Sequence, residues 1–289
     1  MPFEQGAALL EEREQVPGHV PASYNPAARR GYTSPVTPLS AVLITRDEEH
    51  HLPAALESVR FCDEIVVVDA GSTDRTRAIA ETAGARVIVS APWPGFVAQR
   101  NLALEAARHH WVLAIDADER VTPALREEIE AMRLSGFRHA GYRVPRVAFY
   151  LGRWIRATDW YPDHQTRLFD RTRGRWEGSL VHESVRVRGS VGRLLAELEH
   201  HPYTDVGAHL RKIDVYTSLW ARQCFTAGQT TSGLEMALNP AWAFARNFVL
   251  RRGFLLGRAG LTVSALNAYY TFLKLAKLDE LVRGAESGR

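Results

Sequence analysis

Cysteine is scarce: Cys62 and Cys224 are the only two in 289 residues, far apart and outside any Cys-x-x-Cys pattern. A disulfide scaffold and a zinc finger are therefore excluded, and a reducing compartment is the simplest home. Long apolar runs are missing too. The longest uncharged run of note, Ala259 to Leu273, lies between Arg258 and Lys274, short of the roughly 20 residues a membrane-spanning helix requires. No secretory signal is visible. Residues 1–38 carry Glu4, Glu11, Glu12 and Glu14 with Pro17, Pro21, Pro26, Pro35 and Pro38, and no apolar core. They read as a poorly ordered extension with a short helix near Ala7 to Glu14. Repeats and low-complexity tracts are absent. What remains is an ordinary globular composition, 46% hydrophobic and 24% charged, which excludes bulk disorder and fits one large α/β domain or two small ones.

Short apolar runs at Leu39–Thr45, Glu64–Asp69, Ala85–Ser90 and Trp111–Asp116 suit strands buried on both faces. Helical patterns through Leu52, Leu56 and Val59, after Ala70-Gly-Ser-Thr-Asp74, and over Gln99–Arg108 separate them. Gly71 permits the sharp turn, Thr73 is expected to cap the next helix, and Asp74 to sit in its first turn. Strands alternating with helices imply a parallel sheet with right-handed crossovers through about residue 135. From about Ala140 to Tyr203, alternating stretches such as Gly141–Val144 and Ser184–Arg188 read as antiparallel strands. From His209 onward the pattern is helical. The expected division is an extension (1–38), a catalytic unit (39–203, nucleotide part 39–135 and acceptor part 136–203) and a helical segment (204–289).

Ligands of open parallel sheets bind beyond the carboxyl ends of the strands. Three of the four strands end there on Thr45, Asp69 and Asp116, residues that serve equally as helix caps and turn formers. Asp116 and Asp118, two apart on an extended segment, face the same way and suit Mg²⁺ or Mn²⁺ shared with substrate phosphates.

Thr45-Arg-Asp-Glu-Glu49, Glu64-Ile-Val-Val-Val-Asp-Ala-Gly-Ser-Thr-Asp74, Gln99-Arg-Asn101 and Asp116-Ala-Asp-Glu119 resemble, in order and spacing, the signatures of family-two inverting glycosyltransferases with the GT-A fold. Trp160-Tyr-Pro-Asp163, Gln165-Thr-Arg-Leu-Phe169 and His182-Glu183 resemble the branch of lipopolysaccharide core glucosyltransferases. The resemblance runs from about Leu39 to Lys277. Asp47 departs from it, because the family usually has Asn there. The resemblance implies a mostly parallel Rossmann-like sheet with helices on both faces, a small antiparallel acceptor-side sheet and a C-terminal helical segment. It implies Thr45 and Glu48 in the nucleotide pocket, Asp69 on the uracil ring, Arg100 near base or diphosphate, Asp116 near the ribose, and Asp118 on the metal. Inverting transfer also needs a base for the acceptor hydroxyl. Glu183 stands where the resemblance puts it. Asp163 is the rival, or a binder of acceptor hydroxyls, and Glu183 is otherwise a salt-bridge partner of a nearby arginine. His182 would orient Glu183 or bind diphosphate, and His200 would add a metal ligand. Arg167, Arg171, Arg173 and Arg175 either clamp phosphates or form a solvated face.

Between Glu235 and Asp279 there is no acid, while Arg246, Arg251, Arg252, Arg258, Lys274 and Lys277 alternate with aromatic and aliphatic residues. Such a segment suits either an anionic membrane interface or a helical pair packed on the catalytic unit with snorkelling charges. The resemblance implies transfer of glucose or another hexose from a UDP-sugar to a lipid-linked glycan, with this basic segment on the inner face of the cytoplasmic membrane. A sugar nucleotidyltransferase would want a glycine-rich loop after the first strand, and Thr45–Glu49 has no glycine. A non-catalytic sugar-nucleotide or glycan binder would need neither Asp118 nor Glu183. No nucleic-acid signature accompanies the arginines.

Overall fold

The computed structural model describes residues 36–178 and 183–287. The helix expected near Ala7 to Glu14 and the residue His182 lie outside them. The four apolar runs pair in parallel as β1 (Leu39–Thr45), β2 (Glu64–Asp69), β3 (Arg86–Val89) and β4 (Trp111–Asp116), in the order β3-β2-β1-β4. Val42, Val66, Val67, Val68 and Leu113 are buried because helices cover both faces. Helices α1 (Leu52–Ser58) and α2 (Thr76–Thr82) pack on one face, and α3 (Phe96–Ala106) on the other. Helix α4 (Pro123–Ser135) joins the first pair through Leu125 and Ile129. It starts where Pro123 follows Thr122, whose side chain accepts from the Leu125 amide.

The second half extends this sheet. In chain order it supplies β5 (Glu119–Val121), β6 (Gly141–Tyr150), β7 (Arg153–Ile155), β8 (Asp163–Asp170), β9 (Gly174–Glu177), β10 (Ser184–Val187), β11 (Val191–Arg193) and β12 (Leu198–His200). Strand β8 enters antiparallel between β4 and β6, and the sheet continues through β12 to β5. The expectation of an antiparallel strand at 141–144 holds toward β8, and β7 pairs antiparallel farther along β6 at Ala148–Tyr150, whereas β11 and β12 run parallel to β6. Strands β9 and β10 form a separate antiparallel ribbon packed under α3 through Trp176, Val185 and Val187. This is the GT-A architecture: a curled, mainly parallel sheet with a small antiparallel sheet and C-terminal helices.

Register gathers chemistry at one edge. Thr45 pairs with Asp69 and Ile44 with Asp116, so β1, β2 and β4 end together. Because β8 runs the other way, its first residue Asp163 lies at that same edge, opposite Arg146 of β6. His200 closes β12 opposite Glu119 of β5.

The C-terminal helices are α5 (Val206–Thr226), α6 (Gly233–Ala245) and α7 (Gly257–Ser287). Asp205 caps α5, and Ser232 with Glu235 forms a capping box on α6. A π-helical turn (Arg246–Leu250) and a 3₁₀ turn (Gly253–Leu256) join α6 to α7 as a tight hairpin. A Cβ on Gly260 would lie 1.8 Å from the Gly253 carbonyl oxygen, so only glycine lets this turn close. The hairpin docks on the sheet through Tyr150, Ile155, Leu256, Ala259 and Val263. Among the described residues no helix is long and apolar enough to cross a membrane.

Candidate active site

Two loops frame the site, one after β1 and one after β2, and they hold each other. The amides of Asp47, Glu48 and Glu49 donate to Ser72 Oγ (2.9 Å), Thr76 Oγ1 (2.7 Å) and Asp74 Oδ2 (3.0 Å). In return, the amides of Thr73 and Arg75 donate to Asp47 Oδ1 (2.8 Å) and Glu49 Oε2 (3.2 Å). Asp47 adopts a left-handed backbone, φ 53°, which Asp tolerates nearly as well as Asn. The departure at this position thus keeps both the conformation and the acceptor oxygen. Thr73 does not cap α2 as expected. Its amide and hydroxyl are taken by Asp47, and Asp74, just ahead of the helix, accepts from the Thr76 amide instead.

Asp69 is placed differently from its expected contact with uracil. It is fully buried, and its oxygens accept from Thr45 Oγ1 (3.2 Å), the Gly71 amide (3.0 Å), and the Ser72 amide and hydroxyl (2.8 and 2.5 Å). With those lone pairs engaged, Asp69 builds the turn at Gly71 (φ 82°) and presents no free acceptor to a ligand. Of Gln99-Arg-Asn101, the two amides are likewise structural. Gln99 donates to the Val68 carbonyl, and Asn101 clamps both backbone groups of Trp176. Gln99 and Arg100 line the cleft, and the Arg100 guanidinium lies 4.4 Å from the Trp176 ring centroid.

Carboxylates and guanidiniums alternate along the edge. Asp116 meets Arg100 Nη2 through Oδ1 (2.7 Å) and Arg167 Nη2 through Oδ2 (2.6 Å). Glu119, fully buried, accepts from Arg167 (2.5 Å), Arg146 (2.8 Å) and the Asp116 amide (3.0 Å). Arg146 continues to Asp163 Oδ2 (2.9 and 2.5 Å), and Gln165 holds Asp163 Oδ1 (2.6 Å). Burial by itself would raise the Asp116 pKa, but Arg100, Arg167 and Arg146 hold it far below the usual carboxylate range. Asp163 is depressed in the same way, by Arg146 and Gln165 against burial. The roles of Glu119 and Arg146 escape sequence reasoning, although Glu119 stands inside a quoted motif.

A cleft of about 560 Å³ opens at these strand ends. It gathers Thr45, Glu48, Arg100, Asp116, Asp118, Arg167, Glu183 and His200 from the expected set, and adds Lys212 and Tyr216 from α5. Glu183 lies 4.0 Å from Arg100 Nε, the one ion pair it makes among the described residues. Buried Nε atoms of Arg100 and Arg167 have no hydrogen-bond partner there. Burial, reinforced by Asp118 and opposed by Lys212, pushes the Glu48 carboxyl up to about 7. Asp163 lines an adjoining polar compartment that shares Arg146 and His200 with the cleft. Arg171, Arg173 and Arg175 are elsewhere, beside the β9–β10 ribbon, so Arg167 alone of that group reaches the cleft.

Of the three residues expected to hold Mg²⁺ or Mn²⁺, Asp118 and His200 stand together, Nε2 3.4 Å from Oδ2. Burial raises the Asp118 pKa and His200 brings it down, below the usual value overall. A carboxylate and an imidazole suit a divalent ion that completes its shell with phosphate and water. Asp116 does not fit that set, because both of its oxygens face arginines. Among the described residues no three His, Cys, Asp or Glu side chains are arranged to hold an ion by themselves.

The sheet thus collects acids and arginines at its strand ends. Residues 40–188 match the sequence profile of Glycosyl transferase family 2, and the chain belongs to that family. It is similar to the lipopolysaccharide core biosynthesis glycosyltransferase LpsC of Rhizobium meliloti (strain 1021), with 32% identity over 250 residues, 84% of this chain and 93% of that one. An uncharacterized glycosyltransferase of Rickettsia prowazekii (strain Madrid E) is 32% identical over 255 residues, 84% and 87% of the two chains. Among solved structures, glucosyl-3-phosphoglycerate synthase from Mycobacterium tuberculosis, in complex with Mn²⁺, UDP and glucosyl-3-phosphoglycerate, shares 26% identity. It covers 40% of this chain and 45% of that one, with a TM-score of 0.31.

Proposed function

We propose that the chain moves a hexose from a UDP-sugar, with inversion, to a lipid-linked glycan of the lipopolysaccharide core type. The observation that carries this reading is the position of Glu183, loosely held on the wall of a cleft that also contains Arg100, Lys212 and the Asp118–His200 pair. Thr45 and Glu48 line the nucleotide end. Asp116 aims Arg100 and Arg167, and the free Nε hydrogens of these arginines suit phosphate oxygens. Asp118 and His200 would hold Mg²⁺ or Mn²⁺, which supplies charge neutralisation for the departing diphosphate. Glu183 accepts the proton of the acceptor hydroxyl as that oxygen bonds to the anomeric carbon from the face opposite the UDP oxygen. Asp163 is the poorer base because Arg146 and Gln165 occupy its oxygens, so it positions the acceptor. The similarity to a lipopolysaccharide core glycosyltransferase supports the acceptor class.

The same reading sets the protein on the inner face of the cytoplasmic membrane through the α6–α7 hairpin. Leu234, Leu238 and Trp242 follow one side of α6 at four-residue spacing and are 69%, 56% and 59% exposed. Leu250, Phe254 and Leu255 are exposed at the tip. Arg252 and Arg258 flank the tip, with no carboxylate in ion-pair distance among the described residues. An apolar face rimmed by unpaired cations complements an anionic lipid surface. The test of function is UDP release from a panel of UDP-sugars, with and without Mn²⁺ and a core-type acceptor. Ion-dependent release is expected with at least one donor. Silence across the whole panel overturns the reading.

A further inference from the structure

Beside the acceptor compartment lies a second chamber of about 320 Å³, between α5, α7 and the 3₁₀ turn at Thr158–Trp160. Its walls are Trp160, Tyr203, His209, Tyr216 and Tyr270, with Lys212 and Asn267 as polar members. It shares Trp160 and Tyr203 with the Asp163 compartment, and Lys212 and Tyr216 with the donor cleft. We propose that this chamber seats a pyranose ring of the acceptor glycan, next to the sugar that receives the transfer. The proposal rests on the transferase reading above and names where its acceptor is gripped.

The chemistry of the walls carries it. A pyranose presents C–H bonds with partial positive charge on its faces, and aromatic rings present a negative face to them. The walls are fixed in advance. Tyr203 stacks on His209 with centroids 4.0 Å apart and planes 15° apart, and the Trp160 indole N–H donates to Asn267 Oδ1 (3.3 Å). A purely structural cluster would have no need of a free cation, yet the Lys212 ammonium sits 5.3 Å from the Tyr203 centroid without an ion pair among the described residues. It offers three donors to sugar hydroxyls or to an acidic substituent. An apolar chamber with a few convergent polar groups is how small ligands are commonly held.

The experiment uses the full chain with UDP and Mn²⁺, and core oligosaccharide released from lipopolysaccharide by mild acid as the probe. Saturation-transfer NMR should show one sugar ring in close contact with the protein. Tyr270→Leu keeps apolar bulk but removes the aromatic face, and should weaken oligosaccharide binding about fivefold. Tyr270→Phe should bind like the wild type, which separates loss of the ring from loss of the fold. UDP affinity, measured separately by calorimetry, should be equal in all three. Equal oligosaccharide affinity in Tyr270→Leu and wild type overturns the proposal, as does absence of saturation transfer in a wild-type protein that binds UDP. Failure to bind UDP strikes instead at the donor reading.

Discussion

Glu183 and Asp163 both stand beside the cleft, but they differ in what already holds them. Among the described residues Glu183 has one long contact, to Arg100, while Asp163 has short hydrogen bonds on both oxygens. Glu183→Gln should therefore leave UDP affinity nearly unchanged and lower kcat by about 10²–10⁴, whereas Asp163→Asn should act mainly on the acceptor KM. Steady-state kinetics on both variants checks this, and the opposite pattern would exchange the two roles. Asp69 calls for another expectation. Its alanine variant strands the Gly71 and Ser72 amides in a buried turn, which should cost about 2–4 kcal/mol of stability. Chemical denaturation would reveal it, and UDP and pyrophosphate binding should suffer alike. The sequence announced Asp69 as an acid at a strand end. What it did not carry was the burial and the four donors around it, because those come from the return of the chain at Gly71 and from β1 alongside.

At the level of elements, the acid-free stretch between Glu235 and Asp279 was plain in the sequence, but its two readings were not separable there. The structure shows the packed one. Leu256, Ala259 and Val263 pack on Tyr150 and Ile155, while one side of α6 and the hairpin tip face outward. Periodicity could not foresee this split, since the π-helical turn at Arg246–Leu250 shifts the side-chain phase before the tip. Arg251 faces Asp159 at 3.6 Å, so Arg252 and Arg258 are the informative pair. Changing both to Gln should weaken binding to anionic vesicles by about 2 kcal/mol, near thirtyfold, at roughly 1 kcal/mol per charge. Vesicle co-sedimentation at low salt measures it. Wild-type protein that ignores anionic vesicles would leave the hairpin with no lipid partner.

Across the whole molecule, strand alternation made the parallel half readable, and four strand positions followed from it. The second half was less so, because β5, β11 and β12 are three residues each and their places in the sheet depend on long-range pairing rather than local pattern. The helical segment is joined to the sheet partly through His209, buried against Tyr150 and Tyr203. Burial, aided by Lys212, pushes this imidazole down to about 4. The unfolded chain, with a pKa near 6.5, then takes up the proton first. His209 consequently contributes stability that is fully present above about pH 6.5 and is lost as pH falls toward 4. Between pH 7 and 5 the loss should be about 2 kcal/mol. His209→Phe should flatten the Tm profile over that range relative to wild type, and parallel profiles would contradict a neutral buried imidazole.

The reciprocal bonds between the loops after β1 and β2 bear on time as well as shape. Backbone amides in surface loops normally exchange their hydrogens with solvent readily, because nothing in the fold must open first. Here the amides of Asp47, Glu48, Glu49, Thr73 and Arg75 are each bound to the facing segment. They should exchange in deuterium as a single cooperative set, at rates closer to those of the adjoining strands than to those of a free loop. The rim of the cleft has then lost its conformational freedom before any nucleotide arrives, and little further ordering is left for binding to impose. Mass-resolved exchange on peptides spanning 45–50 and 71–76, with and without UDP, should show slow uptake in both states and only a small difference between them.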